Sequence, residues 1–169
     1  MIKIQSSTHF LIGILIQFLV LLFIPSIPWL SVILILIFGF LSHALVDPFA
    51  AKFTYHPPEA DWNDKFWVSY HVGVYIFTGL IVIFFWQYWL GMIASIIPDI
   101  LDWGARALRK YKFFHLEWYD KPYVHNFINR PILYLLKGVK GSTSKRTGII
   151  PEIILDTILS IIVILLIYF

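Results

Sequence analysis

A 169-residue chain that is 59% hydrophobic and 14% charged, with a mean hydropathy of +0.79, is not composed like a soluble domain and reads as an integral membrane protein. The net charge of +3 is modest, so where the charges fall matters more than their sum. With no cysteine there is neither a disulfide framework nor a thiolate metal site, and any metal must be held by imidazole nitrogen and carboxylate oxygen.

The first apolar run, 9–24, ends at Pro25-Ser26-Ile27-Pro28. Only Lys3 precedes it and no small-residue cleavage site follows, so it is expected to be an uncleaved span and not a signal peptide. The second run, 29–46, ends at Asp47-Pro48. A polar stretch, 49–65, holds Tyr55-His56-Pro57-Pro58-Glu59; prolines lack the amide hydrogen a helix needs, so a loop is predicted here. The third run is 66–85, and a turn at Trp86-Gln87-Tyr88-Trp89 leads to a fourth, 89–102. A long polar and aromatic segment, 103–148, comes before the last run, 149–169.

The expectation is therefore an all-α membrane protein in one domain. About five transmembrane helices form an up-down bundle, joined by amphipathic interfacial helices. Five alternating spans put the turns at 25–28 and 86–89 on one side with the C-terminus, and these pieces carry no charged side chain. Every Lys and Arg falls on the other side, which the positive-inside rule assigns to the cytoplasm with the N-terminus. Trp29, Trp86, Tyr88, Trp89 and Tyr168 are expected to form the aromatic belt on the far side.

The same alternation gathers ionisable residues at one membrane level. His9 opens the first span. His43 and Asp47 close the second on a shared helix face, four residues apart. His71 lies about five residues into the third, roughly 7–8 Å along its axis. Asp99 and Asp102 close the fourth, and Glu152 and Asp156 open the fifth. Ionisable groups at such depth face a bundle interior or a watery cavity. A set of imidazoles and carboxylates suits zinc first, with manganese or iron as alternatives. The expected metal ligands are His9, His43, Asp47, His71 and Asp99. An open metal position would supply a hydroxide nucleophile, with Asp102 and His125 handling protons. Glu152 sits at a helix N-terminus, where negative charge is favoured without any site. Membership of His56, His115 and Asp156 is left open.

In 103–148, Arg106, Arg109, Lys110 and Lys112 alternate with Trp103, Leu108, Phe113, Phe114 and Trp118. That pattern suits a helix in the headgroup plane. A second short helix is predicted from Asp120, with Asp120 as N-cap, Pro122 in its first turn and an interruption at Pro131. His125 and Asn129 share one of its faces. Arg106 and Arg130 are the expected phosphate or headgroup contacts, since guanidinium binds phosphate in two-pronged fashion. Basic residues interleaved with membrane-seeking aromatics, and no recognition module, argue against nucleic acid. The partners expected are membrane lipids, with self-association left open.

Thr8-His9-Phe-Leu-Ile-Gly13, Ser42-His43-Ala-Leu-Val-Asp47 and Ile97-Pro98-Asp99-Ile-Leu-Asp102 resemble motifs of the predicted membrane-bound metal-dependent hydrolases of the YdjM type. In this chain the His-x-x-x-Asp motif precedes the Pro-Asp motif, and one extra residue separates the two carboxylates of the latter. The resemblance implies metal-dependent hydrolysis with His9, His43, Asp47, Asp99 and Asp102 as site residues. Asp102-Trp-Gly-Ala-Arg106 more faintly resembles the Asp-Gly-x-x-Ala-Arg motif of phosphatidyl-alcohol transferases. The leading expectation is a hydrolase acting at the cytoplasmic membrane face on a lipid or lipid-linked substrate, with a phosphoester as the candidate bond. The rival is a non-catalytic carrier of metal ions or protons, or a scaffold. A carrier should place ionisable groups through the whole membrane depth, near the midplane, whereas the far half of the bundle is expected to be purely apolar, which argues against transport by a monomer.

Overall fold

A computed structural model describes residues 6–53, 62–110, 123–138 and 149–169. Among them are six α-helices and one 3₁₀ turn, with no strand. Helix α1 spans Ser6–Phe23, α2 Pro28–Phe53 and α3 Lys65–Phe84; the 3₁₀ turn Trp86–Tyr88 leads into α4, Trp89–Lys110, followed by α5, Tyr123–Leu135, and α6, Ile150–Tyr168. The loop residues around His56 and the segment with His115, Asp120 and Pro122 lie outside the described residues.

Three helices are long and apolar enough to cross a membrane: Pro28–Ala50, Lys65–Phe84 and Ile150–Tyr168. At 1.5 Å per residue they measure about 34, 30 and 28 Å, against a hydrocarbon core of about 30 Å. The apolar stretch of α1, Ser7–Phe23, is shorter, and the second half of α4 carries Asp99, Asp102, Arg106, Arg109 and Lys110. Length and composition thus mark three membrane-crossing helices among the five runs.

Local signals explain the helix ends. Asp64 caps α3, its carboxylate accepting from the amides of Phe66 (3.0 Å) and Trp67 (3.2 Å). Pro151 occupies the first turn of α6, where its missing amide costs nothing. Ser31 closes the α1–α2 turn by donating to the carbonyls of Ile24 and Ile27.

Prolines fail as terminators at three places. Helix α2 continues through Pro48 to Phe53, α4 through Pro98 to Lys110, and α5 through Pro131 to Leu135. The predicted ends at Asp47-Pro48 and Pro131 are therefore corrected, and α4 runs on past Asp102, where its apolar run was expected to close. A proline removes one hydrogen bond from a helix interior. Pro48 and Pro98 are fully buried, and packing on both sides of each carries the helix across that gap.

Helix α1 is the centre of the bundle and packs on α2, α3, α4 and α6; α5 lies across α2 and α4. Side-chain pairs fix the directions. His9 meets Asp47 while Ser31 meets Ile24, so α1 and α2 are antiparallel. Gln17 meets Gly91 while Ser7 and Thr8 meet Asp156, so α4 opposes α1 and α6 starts beside its first turn. Tyr70 meets Glu152, and Phe85 meets Tyr168 at the other end, so α3 and α6 are parallel. The apolar core, with Leu11, Ile14, Ile81, Phe85, Met92 and Val163 at its heart, fills the bundle away from the N-terminus of α1. Trp29, Trp86, Trp89 and Tyr168, expected in the aromatic belt, are all exposed.

Candidate metal centre

Close backbone approach builds the site. A Cβ added to Gly13 would fall on the Gly91 carbonyl, and one added to Gly91 on the Gly13 carbonyl; a Cβ on Gly39 would fall on Ala94. Helices α1, α2 and α4 therefore touch backbone to backbone, as small residues allow in membrane bundles. Each contact lies one turn from an ionisable residue: Gly13 from His9, Gly39 from His43, and Ser95 from Asp99. The crossing that glycine permits is what brings three helix ends within ligand distance.

Asp47 sits in the middle of the result. Its Oδ1 is 3.2 Å from His9 Nε2; its Oδ2 is 3.3 Å from His43 Nε2 and 3.4 Å from His125 Nε2. His125 Nε2 lies 3.0 Å from His43 Nε2 and 3.3 Å from Asp99 Oδ1. All are buried except Asp99, which is 22% exposed. Four donors placed tetrahedrally around a zinc ion at about 2.0–2.1 Å stand roughly 3.3 Å apart; the pairs His43–Asp47, Asp47–His125, His125–Asp99 and His43–His125 stand at 3.0–3.4 Å. Two sets, His9/His43/Asp47 and His43/Asp99/His125, each have donor atoms all within 4.8 Å of one another.

Two of the imidazoles are oriented from behind. His43 Nδ1–H donates to the Ser95 carbonyl at 2.8 Å. Pro98 sits three residues beyond Ser95, and its missing amide loosens the ladder at this turn of α4. His125 Nδ1–H donates to Asp102 Oδ2 at 2.5 Å. Both rings therefore turn their Nε2 into the cluster, the usual arrangement behind metal-ligating histidines. Burial alone would lower the pKa of His125, but its contacts with Asp47, Asp99 and Asp102 outweigh burial and push it up to about 10. The carboxylates thus hold positive charge at this ring.

Asp102 also fastens α5 to the bundle, because its carboxylate accepts from the amides of Val124 (3.2 Å) and His125 (3.0 Å) at the start of that helix. Asp102→Ala is expected to raise amide hydrogen exchange across Tyr123–Leu135 while α1 and α2 stay protected. Unchanged exchange in α5 would mean that its packing on α2 suffices to hold it.

The expected site residues therefore divide. His9, His43, Asp47, Asp99, Asp102 and His125 are brought together, although the last, expected to carry protons, stands among the possible ligands. His71 is not brought there. It is absent from both donor sets, stacks on Trp67 at 3.9 Å and donates Nδ1–H to the Trp67 carbonyl at 2.8 Å. Its helix packs chiefly on α1, so depth along the span does not translate into proximity to the cluster. Arg130 is exposed on α5, and the side chain of Arg106 lies outside the described residues. Asp156 accepts from Ser7 (2.7 Å) and Thr8 (2.5 Å) beside His9. Glu152 accepts from Tyr70 at 2.7 Å.

Several supporting residues were missed by sequence reasoning: Gly39, Gly91, Ser95 and Gln17, while Gly13 stood only as the end of a motif with no role given to it. Gln17 is buried and satisfied, donating to the Gln87 carbonyl and accepting from the Gly91 amide, so it fastens α4 to α1. The small-residue spacing Gly91-x-x-x-Ser95 was the signal that could have revealed the crossing. Comparison with family models, with curated proteins and with solved structures gives no match.

Proposed function

We propose that this protein is a metal-dependent hydrolase of the membrane interface, with a divalent cation held by His43, Asp47, Asp99 and His125. One observation carries the reading. Two imidazoles, each with Nδ1 committed to an acceptor behind it, aim their Nε2 atoms at each other across 3.0 Å. Two lone pairs at that distance repel unless a proton or a cation stands between them, and the carboxylates that hold a proton on His125 in the empty site would hold a divalent cation in its place. Zinc is the first choice for a set of imidazole and carboxylate.

The bound metal would lower the pKa of a water towards neutrality, making a hydroxide nucleophile available beside the substrate. Asp102 would orient His125, and Ser95 would orient His43. A lipid or lipid-linked substrate, cleaved at a phosphoester, follows from location: the cluster lies at one end of long apolar helices. Beside it, α5 presents exposed Phe127, Tyr134 and Leu135 together with Arg130, a group suited to a phosphate-bearing headgroup. The five-span topology, with this end and the N-terminus in the cytoplasm, belongs to the same proposal and rests on the charge asymmetry of the sequence. The likeness to YdjM-type motifs at His9, His43, Asp47, Asp99 and Asp102 points the same way.

The test is hydrolysis of phosphoester lipids in mixed micelles by metal-loaded protein. Release of headgroup or phosphate that stops on chelation, returns with added zinc and is absent from a folded His43→Ala/Asp47→Ala variant is expected. Equal turnover by that variant would end the reading. A metal-loaded protein inert towards every lipid ester offered would favour the non-catalytic carrier or scaffold.

A further inference from the structure

We propose that the cluster holds two cations, not one, with Asp47 bridging them and His9 binding the second; this rests on the metal reading above. The argument starts from Asp47, whose two oxygens face different imidazoles. Its Oδ2 faces His43 and His125 at 3.3 and 3.4 Å, while its Oδ1 faces His9 at 3.2 Å. The two possible donor sets share His43, which has one nitrogen available because the other is bound to Ser95. One ion therefore takes His43 with His125, whose Nε2 atoms are 3.0 Å apart. His9 is left with the far oxygen of Asp47.

Ring geometry sets the spacing of the pair. His9 lies parallel to His43, with centroids 4.1 Å apart and planes 14° from parallel. Ions carried on neighbouring, parallel rings stand about as far apart as the rings, and paired catalytic metals are spaced about 3.5–4 Å. Acidic groups flank both proposed positions. Asp47 and Asp99 stand beside His125, and Asp156 accepts hydrogen bonds from Ser7 and Thr8 beside His9.

The two sites are not equal. Nδ1 of His43 and of His125 is anchored, whereas Nδ1 of His9 is buried without a hydrogen-bond partner among the described residues. No described residue behind His9 fixes its tautomer, so it donates to Asp47 when the second site is empty and offers a lone pair when it is filled. Support of this kind is worth about 10–100-fold in metal affinity, so the His9 site is the weaker one by about that factor.

The decisive experiment loads chelator-stripped, detergent-purified protein with Mn²⁺, counting ions per chain and recording the electron paramagnetic resonance spectrum. The wild type is expected to bind two ions in two steps and to show the signal of an exchange-coupled pair. His9→Ala, with His9→Gln as a second variant in case the first does not fold, is expected to keep the tighter step and lose both the weaker step and the coupling. Saturation of the wild type at one uncoupled ion, or two coupled ions in a folded His9 variant, would overturn the second site. The former outcome leaves the single-metal reading standing. No ion in the wild type overturns both.

Discussion

Asp47→Asn is expected to leave the protein folded but unable to retain metal. The change preserves shape and leaves a polar group among His9, His43 and His125, so the buried imidazoles keep hydrogen-bonding partners and the bundle keeps its packing. What it removes is the one negative charge that all three rings share at 3.2–3.4 Å. Removing a mere supporting group costs about 10–100-fold in metal affinity; removing the central ligand should exceed that, enough for the metal to be lost during purification. Elemental analysis beside the wild type reads the result directly. Two controls sharpen it. His71→Ala and Glu152→Gln should both retain the metal, because neither residue belongs to a donor set. Full metal content in Asp47→Asn, or its loss in His71→Ala, would contradict the placement of the centre.

Gly91→Ala is expected to damage both fold and site, although it adds a single methyl group. The new Cβ would meet the backbone of Gly13 and the Cβ of Gln17, and backbone cannot rotate out of the way as a side chain can. Overpacking of this kind typically costs about 1–3 kcal/mol, and here relief requires α1 and α4 to part. Parting carries His9 and Asp99 away from Asp47, since each lies near the crossing. Thermal stability and metal affinity should therefore fall together. Gly79→Ala is the matched control, because a Cβ there meets nothing within 4 Å; the higher helix propensity of alanine predicts no loss of stability. Equal behaviour of the two variants would show that the α1–α4 crossing is looser than described.

The helices were largely legible in the sequence. Uncharged runs of near-spanning length can bury themselves only as helices in an apolar medium, where every backbone group must be satisfied internally. Their limits were less legible wherever proline intervened. Pro48, Pro98 and Pro131 each signal a break locally, and at the buried Pro48 and Pro98 packing outweighs one lost hydrogen bond. The gathering of His9, His43, Asp47, Asp99 and Asp102 followed from alternation of direction, because antiparallel neighbours return to the same level.

Which of those residues meet is a different question, and only the tertiary structure answered it. His71 satisfied every sequence criterion of depth and chemistry, yet α3 packs on α1 with His71 turned to Trp67 and outside both donor sets. His125, placed by sequence on a helix outside the membrane runs, arrives in the cluster because Asp102 accepts from the first amides of α5 and from the ring itself. Composition and hydropathy determined by themselves that the chain is helical, membrane-seeking and polar at one level, because those properties are sums along a segment. The choice of ligands, the backbone contact at Gly13 and Gly91, and the orientation of His43 by a carbonyl 52 residues away depend on the rotation and lateral order of helices. Helices α1, α2, α3 and α6 are apolar nearly all round, which leaves their rotation and order unspecified in the sequence pattern, so close packing decided them.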